Sequence, residues 1–121
     1  MDVSPCAIIL FGSRARGDYL SHSDYDFLII SDNFKEMNFF DRIRLIEDMW
    51  NENEFFGVLE VFPYTKKEFL GLLEKKNLTA LDGLEDGIVL YTNESFNKIK
   101  EIYNEMKKDR IIYREDGLWK F

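Results

Sequence analysis

Cysteine, histidine and proline are scarce in this sequence, with one Cys, one His and two Pro among 121 residues. A single thiol, Cys6, cannot close a disulfide within the chain, and one histidine beside it makes no Cys/His set for a structural zinc. Long apolar runs are missing as well: none approaches the roughly 20 residues that a membrane helix needs. The opening Met1-Asp2-Val3-Ser4-Pro5 has no basic stretch leading into an apolar one, so no secretion signal is read there and a soluble, cytoplasmic protein is expected. Positive charge is in deficit too, since 16 Lys and Arg against 23 Asp and Glu leave a net charge of -7. General nucleic-acid binders rely on surplus basic side chains to displace counterions, and this composition argues against that class. An anionic substrate would need local help from bound cations or from backbone amides. No repeat, low-complexity tract or Pro/Gly/Ser-rich linker divides the chain, and residues 1–121 read as one domain.

What is present is an apolar, aromatic-rich pattern, 45% hydrophobic and 16% aromatic. Ala7 to Phe11 reads as a buried strand, followed by a polar, glycine-containing loop from Gly12 to Ser23 with room for one helical turn. Tyr25 to Ile30 reads as a second strand, in which Asp24, Asp26, Leu28 and Ile30 share a face by period two. Over 35–51, Phe39, Phe40, Ile43, Ile46 and Trp50 form a helical stripe, and Met37, Leu45 and Met49 fall outside it as surplus apolar surface. A third strand is expected over 57–62, closed by Pro63. Thr65 and Glu68 have the spacing of a capping box for a helix from Lys66 to about residue 75. A short helix from Thr79 should end at Gly87 through a left-handed glycine cap, before a strand over Ile88 to Tyr91. Phe96, Ile99, Ile102, Tyr103 and Met106 mark a last helix, and the tail 110–121 reads either as a hairpin about Asp116-Gly117 or as an arm for a partner. The expected fold is α/β in the α+β sense, a small mixed sheet of about four strands with helices packed against it.

The densest chemistry lies where Gly12-Ser13 ends the first strand and Asp24-Tyr25-Asp26 opens the second, ten residues later. Gly12 allows a sharp turn and close approach to an anion, and Ser13 can hydrogen-bond phosphate oxygens. Aspartates at i and i+2 project from one strand face, near enough to share magnesium ions. A two-metal site also needs a carboxylate from elsewhere, and Glu60 is the candidate, because it interrupts the apolar run Val58 to Phe62 where a buried charge would be costly. Its alternation with Val58 and Phe62 also permits an exposed sheet face.

Together, Gly12-Ser13-Arg14-Ala15-Arg16-Gly17-Asp18 and Ser23-Asp24-Tyr25-Asp26 resemble the signature of minimal nucleotidyltransferases of the DNA polymerase beta nucleotidyltransferase superfamily. The resemblance continues through Glu60-Val61-Phe62-Pro63-Tyr64-Thr65 and Gly87-Ile88-Val89-Leu90-Tyr91, from about residue 6 to residue 92. It implies a polymerase-beta-type fold and magnesium-dependent transfer of a nucleoside monophosphate, AMP from ATP, to an acceptor hydroxyl. It further implies that Gly12 and Ser13 bind the triphosphate tail, that Asp24 and Asp26 ligate two magnesium ions, and that Glu60 ligates the catalytic one. The family's third carboxylate is more often Asp, so Glu60 is one methylene longer. Many such proteins are encoded beside a helical HEPN-type protein and act as antitoxins by adding AMP to a tyrosine of that partner. The alternative from another class is a non-catalytic module that neutralises its partner by contact alone.

Other polar residues are read beside this frame. Arg14 and Arg16 can grip phosphate through paired guanidinium hydrogen bonds. Asp18 supports the loop, Ser23 braces Asp24, and His22 is an exposed loop residue. Cys6 is expected to be a buried small residue, and Lys107, Lys108 and Arg110 complement the dipole at the end of the last helix.

Overall fold

A computed structural model describes residues 4–12, 25–52 and 59–121, so Asp18, His22, Ser23 and the expected helical turn after Gly12 lie outside the described residues. Strand β1 (Ala7–Phe11) pairs antiparallel with β2 (Tyr25–Ile30) on one side and with β4 (Ile88–Thr92) on the other. Strand β3 (Leu59–Tyr64) runs parallel to β2, giving the mixed order β3-β2-β1-β4. The parallel pair requires a crossover, and helix α1 (Phe39–Glu52) supplies it. Helices α2 (Lys66–Glu74), α3 (Leu78–Asp86) and α4 (Phe96–Lys108) follow.

Period-two alternation sorts the side chains into two cores. Ala7, Ile9, Phe11, Leu28 and Ile30 face α2, α3 and α4, packing with Phe69, Leu73, Leu81 and Ile99. Ile29 and Val61 face the other way, onto Ile46 of α1, with Phe34 and the half-buried Ile8, Phe27, Met37 and Leu59. Burying a large aliphatic or aromatic side chain is worth about 1.5–3 kcal/mol, so both faces hold the sheet. β4 is an open edge, and its Ile88, Val89, Leu90 and Tyr91 are all exposed. Among the described residues no helix is long and apolar enough to cross a membrane.

Several expected boundaries move, each for a local reason. The helix over 35–51 starts later, at Phe39, because Ser31 caps a separate 3-10 turn (Asp32–Phe34) and the Asn38 side chain accepts from the Asp41 amide. Phe39 and Phe40 do not face the core, being 44% and 69% exposed, while Arg42 at 4% does. Met37, expected as surplus surface, packs into the α1 core instead. Pro63 does not close β3, which continues to Tyr64 with Pro63 opposite Ile29. An edge strand tolerates proline, since only one side of it needs ladder donors. α3 begins at Leu78 because the Asn77 side chain accepts from the Ala80 amide. Gly87 ends α3 with φ -67, not in the left-handed region. It is glycine for space, since a Cβ there would strike the Gly83 carbonyl and the Ile9 side chain.

The tail resolves into a hairpin of β5 (Tyr113–Glu115) and β6 (Leu118–Lys120), turning through Asp116 and Gly117 at φ 51 and 77. Positive φ at both central residues is the turn whose twist matches paired strands. Arg114 fastens the hairpin to α3 through Asp86 at 2.8 Å and Asp82 at 3.0 Å. Trp119 Nε1 donates to the same Asp82 at 2.8 Å, and the Arg114 guanidinium lies 4.7 Å over the Trp119 ring.

Arg42 joins α1 to the sheet and to α2. Its Nε donates to the Met37 carbonyl at 3.0 Å, and its Nη1 donates to the Pro63 carbonyl at 3.3 Å and to Glu68 Oε1 at 2.6 Å. Nη2 donates to Glu68 Oε2 at 3.2 Å, and the guanidinium stands 5.7 Å from the Phe34 and Phe39 rings. Glu68 also completes the capping box with Thr65. The hydrogen bonds from Arg42 hold the Glu68 carboxyl below its ordinary value of 4.5, against the opposing effect of burial.

Replacing Arg42 by Ala would leave two carbonyls without their donor and a partly buried carboxylate without its cation, so Arg42→Ala should cost about 2–3 kcal/mol in urea unfolding. A depressed folded-state pKa means that the stabilisation is full above the ordinary carboxylate range and is lost as pH falls below it. The parent should therefore lose stability on acidification from about pH 4.5, and Arg42→Ala should show a shallower acid slope over the same range.

Candidate active site

Asp26 and Glu60 are register partners across the parallel β2–β3 ladder. Neighbouring strands lie about 4.8 Å apart, so the two side chains leave the sheet side by side. Alternation puts Asp26 on the face of Leu28 and Ile30, and Glu60 on the face of Phe62 and Tyr64, the side covered by α2, α3 and α4. Across the other ladder Asp26 opposes Phe11. Phe11 and Phe62, on the same face, meet edge to face with ring centroids 5.3 Å apart. Phe62 stood in the Glu60 block as an alternation-mate of Glu60, whereas nothing in the sequence marked Phe11, whose place opposite Asp26 is set by the β1–β2 register.

Gly12 completes the group. Its φ is +75, a conformation that costs an L side chain about 1–2 kcal/mol. A Cβ on Gly12 would also collide with Asp26 Oδ2. The residue is glycine for two reasons, backbone conformation and the close approach of this carboxylate.

Of the residues singled out in the sequence, the structure brings together Gly12, Asp26 and Glu60. Ser13, Arg14, Arg16 and Asp24 lie outside the described residues. Among the described residues no three His, Cys, Asp or Glu side chains converge as a metal-binding group. Glu60 corrects one argument, because it is exposed near the start of β3, so its charge carries no burial cost. Its claim rests on its place beside Asp26.

The remaining polar residues have structural partners. Cys6 is buried, and burial pushes its thiol pKa up. Lys107 pairs with Glu85 at 2.8 Å and lies over the Tyr103 ring, while Arg110 lies over Tyr113. The Tyr103 hydroxyl donates to Glu85, and its pKa is raised chiefly by burial and then by that carboxylate.

Residues 4–113 match the nucleotidyltransferase domain family. The chain belongs to that family. Among solved structures, a protein described as a nucleotidyltransferase, from Sulfolobus solfataricus, is 28% identical, with 74% of this chain and 66% of that chain covered and a TM-score of 0.47. The chain thus spans just under two thirds of that protein's length. A toxin-antitoxin structure with AMP-PNP is 15% identical, with 88% and 81% covered and a TM-score of 0.52. A mutant of the toxin-antitoxin MntA-HpeT is 12% identical, with 88% and 80% covered and a TM-score of 0.50. These last two share the fold of this chain. No curated protein matched the sequence.

Gly12 and Gly117 separate the two demands on glycine, because both have positive φ but a Cβ at Gly117 meets nothing within 4 Å. Gly117→Ala should cost only the backbone strain of about 1 kcal/mol. Gly12→Ala should cost at least about 1 kcal/mol more, as the Asp26 carboxylate is displaced. Equal losses in thermal melts would show that the carboxylate does not constrain Gly12.

Proposed function

We propose that this nucleotidyltransferase moves AMP from ATP onto a hydroxyl of a partner protein, a tyrosine of a HEPN-type toxin, and so acts as its antitoxin. The observation that carries this reading is the Asp26–Glu60 pair, side by side in one ladder with Gly12 held against Asp26. Carboxylate oxygens are the hard donors that magnesium prefers, so the residues present fit that ion. Asp26 and Asp24 would hold both ions, and Glu60 the one on the acceptor side. When bound, magnesium would offset triphosphate charge and lower the pKa of the acceptor hydroxyl.

The chain's own residues divide the rest of the work. Gly12 and Ser13 cradle the triphosphate tail, and Arg14 and Arg16 add charge-assisted hydrogen bonds to phosphate. Asp26 is half-buried, whereas Glu60 is exposed, which suits a carboxylate that meets an acceptor arriving from solvent. The transfer joins the acceptor oxygen to the α-phosphorus and releases pyrophosphate. The toxin-antitoxin structures that share the fold, one with AMP-PNP, support an adenine nucleotide and a toxin partner. The second reading, inhibition by contact alone, draws on Glu60, which is one methylene longer than the Asp more usual at that place.

Calorimetry should show ATP binding with magnesium and little in EDTA; equal affinity in both would sink the metal-dependent reading. Asp26→Asn should impair nucleotide binding and turnover together. Glu60→Gln should keep binding nearly intact yet lower AMP transfer by about 100-fold or more, since an interaction made mainly in the transition state affects rate and not ground-state affinity. Transfer is read as a one-AMP mass gain on the toxin's tyrosine. A parent protein that adds no mass but silences the toxin equally with and without ATP would establish the contact-only antitoxin.

A further inference from the structure

A solvent-open cleft of about 420 Å³ lies between the first turn of α1 and one side of α2, lined by Phe39, Tyr64, Lys67, Gly71, Leu72 and Lys75. It lies apart from the carboxylates: Tyr64 is four residues beyond Glu60, about 13 Å along β3. Three features of the cleft are unexplained by the fold. The first is Phe39, 44% exposed while packed edge to face on Tyr64 at 5.6 Å, so that an aromatic wall meets water.

The second is Gly71. Glycine weakens a helix interior, and this one sits within α2 where a Cβ would meet nothing within 4 Å. Packing within the chain does not call for glycine here, and the space over its backbone is open to an incoming side chain.

The third is charge. Lys67, Gly71 and Lys75 fall at i, i+4 and i+8, on one side of α2. Neither lysine has an ion-pair partner among the described residues, whose pairs are Arg42–Glu68, Lys107–Glu85 and those of Arg114 with Asp82 and Asp86. Glu68, which also lines the cleft, is neutralised by Arg42. In a chain of net charge -7 the cleft is thus rimmed by two unpaired cations around an apolar floor.

We propose that this cleft docks a helix of a partner protein that carries an aliphatic side chain between two carboxylates set about two turns apart. The aliphatic side chain lies over Gly71 and Leu72 against Phe39, and the carboxylates meet Lys67 and Lys75. Eight helical residues rise about 12 Å, which matches two turns of a partner helix. This is the helix-in-groove mode of recognition, with charge complementarity fixing the register. The inference does not depend on which group the carboxylate site transfers.

The test uses two fluorescein-labelled helical peptides of 18 residues, each with a central Leu, flanked at four residues on both sides by Glu in one and by Lys in its twin. By fluorescence anisotropy, the full chain should bind the acidic peptide at least tenfold more tightly than the basic twin. The double variant Lys67→Glu/Lys75→Glu should reverse that preference. Gly71→Leu fills the cleft floor while improving helix propensity, so it should weaken the acidic peptide at least tenfold while melting no lower than the parent. Failure of the acidic peptide to bind, equal binding of the twins, or undiminished binding by the double variant or by Gly71→Leu would each overturn the proposal.

Discussion

The register between β2 and β3 is the constraint on which the site depends, and it is locked at the end of the strands remote from the carboxylates. Arg42 holds the Pro63 carbonyl and the Glu68 carboxylate, the Ser31 amide donates to the Tyr64 carbonyl at 2.9 Å, and the Lys66 amide donates to Asp32 at 3.2 Å. Register is discrete in a strand: a slip of one residue turns each side chain of β3 to the opposite face. Glu60 would then point toward α1, and Val61 or Leu59 would stand beside Asp26. The buried guanidinium thus bears on the site from three ladder rungs away, by permitting one alignment.

At the near end, a different economy of space applies. Asp26 and Glu60 stand side by side there, and only the first of them is half-buried. Phe11 and Phe62 pack edge to face on the same side of the sheet, and Gly12 brings backbone where a side chain would collide with Asp26. Such an arrangement contributes nothing to stability by itself. Stability comes from the two cores on either side of the sheet, which bury Ile9, Leu28 and Ile30 on one face and Phe34 on the other completely.

Much of this was legible in the sequence because it rests on local patterns. Short apolar runs located β1, β2 and β4, the Thr65–Glu68 spacing located the start of α2, and Asp116-Gly117 supplied the positive φ values of a two-residue turn. The failures came where tertiary contacts outweighed local pattern. A helical stripe assigned Phe39 and Phe40 to the core, but Arg42 took the inward position, because its hydrogen-bond partners come from β3 and α2, residues 21 and 26 positions away. Pro63 read as a strand stop because no sequence pattern says which strand will be an edge. Glu60 was singled out by the price of burying charge, yet it is exposed; what makes it a candidate is a neighbour on another strand, visible only once the ladder is formed.

The exposure gradient across the sheet follows from the same geometry. Asp26 lies in a strand paired on both sides, between Glu60 and Phe11, whereas Glu60 lies on the edge strand, near its start. An interior strand offers a rigid, partly desolvated position, in which a ligand's orientation is fixed by neighbours on both sides. An edge strand offers access. In the proposed transfer the anionic donor would reach the inner carboxylate through a bound cation, and the acceptor would enter from the open side. Moving the outer carboxylate to β1 would enclose it between two strands, and moving it further along β3 would carry it over the core residues Leu28 and Ile30. The first rungs of the β2–β3 edge are therefore where this sheet can place an enclosed carboxylate and an accessible one in direct lateral contact.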